Sequence, residues 1–217
     1  MQDEVRYFFE LTPERILDAV ESTGLRCTGR CLQMNSMENR VYEVEVEVED
    51  ESTIKSMSDR FRVVKFYRPG RWSEQQVLEE HRFLLDLVEA EIPVVPPLVF
   101  EDGTTLRRMP EIDIFFAVFR KQGGRSPDEL TFDYADRIGR LLARVHAVGS
   151  RSAAPNRLRL DPQTYGTENL EFLLGNKLLP TDLESQFRDT VQQIVGESEP
   201  LFAERTFQRV HGDCHFG

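Results

Sequence analysis

The sequence predicts an α+β fold with two lobes, a small antiparallel sheet that carries one inserted helix and then a helical region. Residues 41–48 alternate between apolar and acidic side chains, which is typical of a strand with one buried face. Segment 74–90 has the start and stop signals of a helix, and the chain beyond residue 124 follows a helical period. We therefore expect a sheet lobe over residues 1–121 and the first part of a helical lobe over residues 122–217.

Composition and charge limit the partners of the protein. The chain has 217 residues, of which 40% are hydrophobic, and a net charge of -11. An acidic chain repels nucleic-acid backbones and anionic lipid, so we expect no nucleic-acid partner and no membrane partner. The start, Met1–Glu4, shows no secretion signal, and three cysteines cannot all pair in disulfides. These features indicate a cytoplasmic protein.

The first half begins with a helix and two paired strands. Thr12, followed by proline, has the features of a helix cap, and Gly24 marks the end of that helix. The alternating strand 41–48 leads into a polar turn over residues 50–59. The run Phe61–Tyr67 is the predicted return strand.

A second helix and two further strands complete the predicted sheet lobe. Ser73 and Gln76 form the pattern of a capping box, which opens a helix over about residues 74–90. Two strand-like runs follow, Val94–Phe100 and Ile114–Phe119. A turn signal at Asp102-Gly103 separates them.

The second half is predicted to be helical. Gln122–Gly124 has the composition of a hinge. Further helices are expected near Glu168–Leu174 and Leu183–Phe202. The first helix after the hinge presents one apolar stripe, made of Tyr134, Ile138, Leu141, Leu142 and Val145.

Lys65 and Glu80 are the first candidate site residues. Lys65 shares a strand face with Phe61 and Val63, because side chains two apart lie on the same face. A lone strand lysine most often sits at an edge and reaches water. Here Glu80 falls on the apolar stripe of the next helix, which requires a countercharge. The stripe consists of Val77, Leu84 and Val88. We predict that Lys65 and Glu80 form an ion pair, as kinases use to hold the α- and β-phosphates of ATP.

The turn before the alternating strand is a candidate phosphate loop. Residues 35–40 occupy the position of a glycine-rich kinase loop but contain no glycine. Ser and Asn favour turns and offer hydrogen-bond donors, so the segment suits a phosphate cradle. Taken alone it is more typical of an ordinary polar turn.

The end of the chain contains the motif His211-Gly212-Asp213. An Asp after His-Gly in a short turn is where a kinase places the carboxylate that accepts a hydroxyl proton. Two alternatives remain, a structural turn and a zinc site, although the spacing matches no closed zinc site. The possible zinc ligands are His211, Asp213, Cys214 and His215.

These residues and the order of elements resemble bacterial kinases of the aminoglycoside phosphotransferase and choline kinase superfamily. The resemblance covers nearly the whole chain. It is carried by Asn35-Ser36-Met37-Glu38-Asn39-Arg40-Val41-Tyr42, Val63-Val64-Lys65-Phe66-Tyr67-Arg68-Pro69 with Arg71-Trp72, Leu78-Glu79-Glu80-His81, Pro93-Val94, Phe116-Ala117-Val118-Phe119 with Gly123-Gly124-Arg125, and His211-Gly212-Asp213-Cys214-His215.

The resemblance implies a protein kinase-like fold, use of ATP and Mg²⁺, and phosphorylation of Ser or Thr in protein substrates under envelope or oxidative stress. By matching position, Ser36 is the loop residue that contacts the nucleotide, and Asp213 is the catalytic proton acceptor. Lys65 and Glu80 are the nucleotide-binding ion pair. The complete protein is expected to be a monomer.

The family pattern continues with a metal-binding Asn five residues after the Asp, and this sequence ends at Gly217. The magnesium ligands are therefore expected beyond the end of the chain, and residues 1–217 alone are expected to be inactive. Two other functions stay open. One is a small-molecule kinase for an amino alcohol, a sugar or an aminoglycoside, and the other is a non-catalytic nucleotide-binding fragment.

Overall fold

The computed structural model describes residues 8–109, 111–124 and 129–215. The chain forms two compact units, one of Met1–Gly149 with Val210–Gly217 and one of Ser150–Arg209. The predicted lobe boundary between residues 121 and 122 stays a prediction. The start Met1–Glu4, Arg125 and the last two residues of the chain lie outside the described residues. Among the helices of the described ranges, none is both long and apolar enough to cross a membrane.

The larger unit is built on a five-stranded antiparallel sheet. Its spatial order is β1-β2-β3-β5-β4, so β3 lies in the centre and β1 and β4 are the edges. The strands are β1 Cys27–Met34, β2 Arg40–Val46, β3 Phe61–Phe66, β4 Arg107–Met109 and β5 Ile114–Arg120. Two short 3₁₀ turns, Glu51–Thr53 and Met57–Arg60, join β2 to β3.

The described residues of the larger unit form three helices, α1 Pro13–Glu21, α2 Glu74–Glu89 and α3 Phe132–Gly149. Thr12 caps α1 by accepting a hydrogen bond from the Arg15 amide at 3.4 Å. The predicted capping box of α2 is confirmed, because the Ser73 hydroxyl accepts from the Gln76 amide and the Gln76 side chain accepts from the Ser73 amide. Both helix starts therefore follow from local sequence.

The smaller unit is helical. A short π-helical segment, Gln163–Thr167, leads directly into α4 Glu168–Gly175, and α5 Glu184–Phe202 follows. Both helices match the predicted segments. In α5, Pro200 lies in the last turn.

The two faces of the sheet pack against different helices. On one face, Val64 and Phe66 of β3 join a core with Ile16 and Val20 of α1. On the other face, Ala117 of β5 packs in a second cluster. Its other buried members are Tyr67 before α2, Val77 in α2 and Leu106 before β4. The sheet lies between α1 and α2, and this fixes which side chains of β3 face each helix.

Two strands were not predicted, and one predicted strand is wrong. The run Val94–Phe100 forms only an isolated bridge between Pro97 and Phe119. Prolines at 96 and 97 have no amide hydrogen to donate to a sheet. The unpredicted strands β1 and β4 are the two edges. A bulge between Cys27 and Cys31 interrupts the period of β1, and β4 is only three residues long.

The predicted stripes of two helices need correction. The buried residues of α2 are Val77, His81 and Leu87, whereas Val88 is 43% exposed. In α3, Val145 and Val148 are buried against Leu87, whereas Tyr134 at the other end is exposed. The helical period was correct, but the buried face of α2 includes a histidine that a hydrophobicity pattern does not select.

The three cysteines carry free thiols. Burial raises the pKa of Cys31, and it raises the pKa of Cys27 to about 11. Both thiols lie against the core under α1, and they stay protonated at neutral pH.

His81 is fully satisfied inside the larger unit. One ring nitrogen, Nε2, lies 2.9 Å from the Tyr67 hydroxyl, and the other, Nδ1, lies 2.8 Å from the Thr105 hydroxyl. His81 is 1% exposed, and burial lowers its pKa from 6.5 to about 4. The imidazole is therefore neutral at physiological pH and joins three separate segments.

This buried histidine predicts a pH dependence of stability. The folded state depresses the pKa, so the stabilisation is complete above pH 6.5 and is lost as the pH falls toward 4. Between pH 7 and pH 4, we expect wild type to lose about 3 kcal/mol more free energy of unfolding than His81→Gln loses. Urea denaturation across this range measures the difference. His215→Gln, which removes an exposed histidine, is the matched control, and equal pH slopes in wild type and His81→Gln would contradict the prediction.

Candidate active site

Lys65 is the fifth of the six residues of β3, and both neighbouring strands set its position. In the sheet register it pairs with Val41 of β2 and with Ala117 of β5. Its Nζ lies 3.1 Å from Oε1 of Glu80 on α2. The predicted pairing of these two side chains is confirmed.

The Lys65–Glu80 pair is half-buried, with 25% of the Lys65 side chain and 31% of the Glu80 side chain exposed. At this exposure the pair contributes little net stability, because desolvation offsets much of the Coulomb attraction. What the pair provides is orientation, since the carboxylate holds one ammonium in one place beside the sheet. A cation fixed in this way can bind a phosphate chain.

Tyr67 is a second neighbour of the ammonium. The Lys65 Nζ lies 4.6 Å from the centroid of the Tyr67 ring, within the range of a cation–π contact. Tyr67 is 3% exposed, and its hydroxyl bonds His81, the residue after Glu80. One aromatic side chain thus contacts both the lysine and the helix that carries its carboxylate partner.

The sheet face beside Lys65 carries half-buried apolar side chains together with the carboxylate of Glu43, which pairs with Val63 in the register. Val63 is two residues before Lys65 on the same strand face, and it pairs with Phe119 of β5 in the register. Val41 of β2 lies directly beside Lys65. An apolar surface next to a fixed cation suits a ligand with a planar ring at one end and phosphates at the other.

The β1–β2 loop, residues 35–39, contains Ser36 and is held at its C-terminal end. Glu38 Oε1 accepts a hydrogen bond from Trp72 Nε1 at 2.6 Å, and Asn39 Oδ1 accepts from the Arg68 amide at 3.2 Å. Ser36 is half-buried, whereas Met37 at the tip is 90% exposed. The loop therefore has the position of a phosphate loop, since it joins the two strands that precede the lysine strand.

Asp213 lies in an exposed segment without regular secondary structure. Gly212 adopts a positive φ of 77°, a conformation that favours glycine. The Asp213 amide donates to His211 Nδ1 at 3.3 Å, and the Asp213 side chain is 85% exposed. His215 Nε2 lies 3.7 Å from Asp213 Oδ1. This segment presents the carboxylate to solvent, where it can reach a hydroxyl group.

A metal site can be tested against the same geometry. Within the described ranges, no three His, Cys, Asp or Glu side chains come together in a group that could hold a metal ion.

Sequence reasoning found some of these residues and missed others. The structure joins Lys65 to Glu80 and places Ser36 in the loop before β2. Asp213 falls in the same compact unit, but its convergence with Lys65 on one cleft remains a prediction. The contacts of Tyr67 and of Trp72 were missed. A hint was available for Trp72, because the single tryptophan of the chain follows two arginines and a glycine between strand and helix.

Two curated proteins that are similar to this chain are kinases by name. Stress response kinase A of Escherichia coli K12 is 34% identical over 219 residues, which span 100% of this chain and 62% of that protein. The serine/threonine protein kinase RdoA of Salmonella typhimurium LT2 is 33% identical, again over 62% of its length. The chain thus spans less than two thirds of the relatives that it matches.

A solved structure shares the fold. Amicoumacin kinase hAmiN, in complex with AMP-PNP, Ca²⁺ and Ami, superposes with a TM-score of 0.58 at 19% identity. The match covers 95% of this chain and 57% of that one. It confirms the predicted α+β kinase-like fold. The family model described as "Phosphotransferase enzyme family" (APH) matches residues 35–217, which include the loop, the ion pair and Asp213, and the chain belongs to this family.

Proposed function

We propose that the protein is an ATP-dependent kinase that phosphorylates Ser or Thr hydroxyls of protein substrates in a stress response. The observation that carries the proposal is the Lys65–Glu80 ion pair at 3.1 Å, which fixes a cation beside Val41 and Val63 of the sheet. A phosphotransferase must hold a polyphosphate and a base in one site. This chain offers a candidate residue for each task.

In the proposed reaction, Lys65 binds the α- and β-phosphates and Glu80 keeps the ammonium aimed at them. Ser36 and the amides of its loop contact the phosphates from the other side. Asp213 accepts the proton of the acceptor hydroxyl as the hydroxyl oxygen forms a bond to the γ-phosphorus. The bond between the γ-phosphorus and the bridging oxygen breaks, and ADP leaves with the electron pair.

We propose that magnesium also takes part, with ligands outside the residues described here. The described part of the chain shows no set of acidic side chains that fits a metal, so no step is assigned to the ion. The relatives are longer than this chain, and the fold neighbour was solved with AMP-PNP and Ca²⁺. When bound, the metal would neutralise charge on the phosphates.

The names of two relatives support a protein acceptor, since one is a stress response kinase and the other a serine/threonine protein kinase. The second candidate is a small-molecule kinase, since amicoumacin kinase, which shares the fold, was solved in complex with Ami. The fold alone does not choose between these acceptors. We further propose that the complete protein is monomeric and works in the cytoplasm, where its free thiols suit a reducing compartment.

Replacing Lys65 tests the nucleotide role. In the whole gene product, we expect Lys65→Ala to lower kcat/KM for ATP by at least about 100-fold, because a fixed cation on the phosphates is lost. A steady-state assay with varied ATP measures this effect. Lys55→Ala, which removes an exposed lysine of the β2–β3 connection, is the matched control. Full activity of Lys65→Ala would refute the proposed site.

The acceptor can be identified with labelled ATP. We expect the whole gene product to place phosphate on Ser and Thr of protein substrates, and Asp213→Asn to reduce that rate by about 100- to 10,000-fold, because the proton acceptor is lost. Phosphoamino-acid analysis, next to a panel of amino alcohols, sugars and aminoglycosides, measures both. Transfer to the panel alone would establish the small-molecule alternative. Transfer to neither class, with ATP binding retained, would favour a non-catalytic nucleotide-binding role.

A further inference from the structure

The short connection between β3 and α2, residues 67–72, contacts both halves of the proposed nucleotide site. Its first residue, Tyr67, follows β3, and its last residue, Trp72, precedes the Ser73 cap of α2. We call this segment the connector. Its contacts reach the ammonium of Lys65 on one side and the β1–β2 loop on the other.

The Tyr67 end holds the Lys65–Glu80 pair. The Tyr67 ring lies 4.6 Å from the Lys65 Nζ, and the Tyr67 hydroxyl lies 2.9 Å from His81 Nε2. His81 is held in turn by Thr105 at 2.8 Å. Because Tyr67 and His81 are both buried, these contacts are shielded from water and resist displacement.

The Trp72 end holds the loop that contains Ser36. The indole Nε1 donates to Glu38 at 2.6 Å, and Arg71 Nε lies 3.6 Å from the other oxygen of Glu38. The Arg71 guanidinium carbon lies 4.8 Å from the centroid of the Trp72 ring, within the range of a cation–π contact. The hydrogen bond between the Arg68 amide and Asn39 adds another attachment.

We propose that the connector is a positioning bracket that sets the distance between the phosphate loop and the Lys65–Glu80 pair. This inference rests on the proposed function, because it assumes that the phosphate loop and the Lys65–Glu80 pair bind one nucleotide. A glycine-rich loop can mould its backbone around phosphates, but residues 35–39 contain no glycine. A loop of this kind must be held in its binding shape beforehand, and the Glu38–Trp72 hydrogen bond does this.

Such a bracket affects nucleotide binding selectively. A pre-ordered loop loses less conformational freedom when the phosphates bind. Removing the contacts that order the loop therefore raises the entropic cost of ATP binding. The acceptor hydroxyl does not contact the loop in the proposed reaction. Releasing the loop should therefore raise KM for ATP and leave KM for the acceptor unchanged.

Three variants of the whole gene product test the bracket. Trp72→Phe keeps an aromatic ring but removes the indole N–H, and Glu38→Ala removes its acceptor from an exposed loop. We expect each to raise KM for ATP by about 3- to 10-fold, as the loss of one charge-assisted hydrogen bond implies. Glu38→Gln retains an acceptor oxygen for the indole and should restore most of the affinity. The melting temperature of each variant is measured in parallel.

The controls separate this inference from the proposed function. Glu10→Ala removes a comparable exposed ion pair, to Arg15 in α1, and should leave KM for ATP unchanged. If Trp72→Phe and Glu38→Ala kept the KM of wild type while Lys65→Ala lost activity, the bracket would be refuted and the proposed function would stand. A joint rise of both KM values with a lower melting temperature would show a merely structural role and would also refute it. Full activity of Lys65→Ala would overturn both.

Discussion

The ion pair between Lys65 and Glu80 constrains how α2 is placed over the sheet of the larger unit. A half-buried ammonium needs a carboxylate at hydrogen-bond distance, so α2 must lie at a fixed height and rotation over β3. The capping box at Ser73 determines where the helix begins, and Val77 packs it against the sheet. His81, one residue beyond the glutamate, bonds to the chain that leaves β3. The rotation of α2 is therefore determined by a polar contact in its buried face as well as by apolar packing.

The proposed nucleotide site contains no glycine-rich loop. Flexibility in such a loop lets the backbone approach phosphates closely. In this protein the loop is short, polar and attached through Glu38 and Asn39 to the segment that leads into α2. Loop, lysine strand and glutamate helix are thus joined through one connection of six residues. In the proposed site, side-chain contacts hold the shape of this loop.

The sequence predicted the elements whose position depends on a local signal. Thr12 and Ser73 located two helix starts, and the alternation over residues 41–48 located the second strand. The sequence did not predict the strands whose formation depends on tertiary contacts. The prolines near Pro97 keep an apolar run from joining the sheet, and the bulge in β1 hides the period of an edge strand. The Lys65–Glu80 pair was predictable because burying either charge alone is costly, whereas the role of Trp72 depends on a partner 34 positions away.

The two edges of the sheet have a further consequence. An open edge presents unpaired amides and carbonyls that can add a strand from another molecule. One edge here, β4, is three residues long, and the other, β1, is broken by the irregularity between Cys27 and Cys31. Neither offers a long, regular row of hydrogen-bonding groups. The sheet is thereby protected against edge-to-edge growth into aggregates while the chain is newly made and crowded by copies of itself.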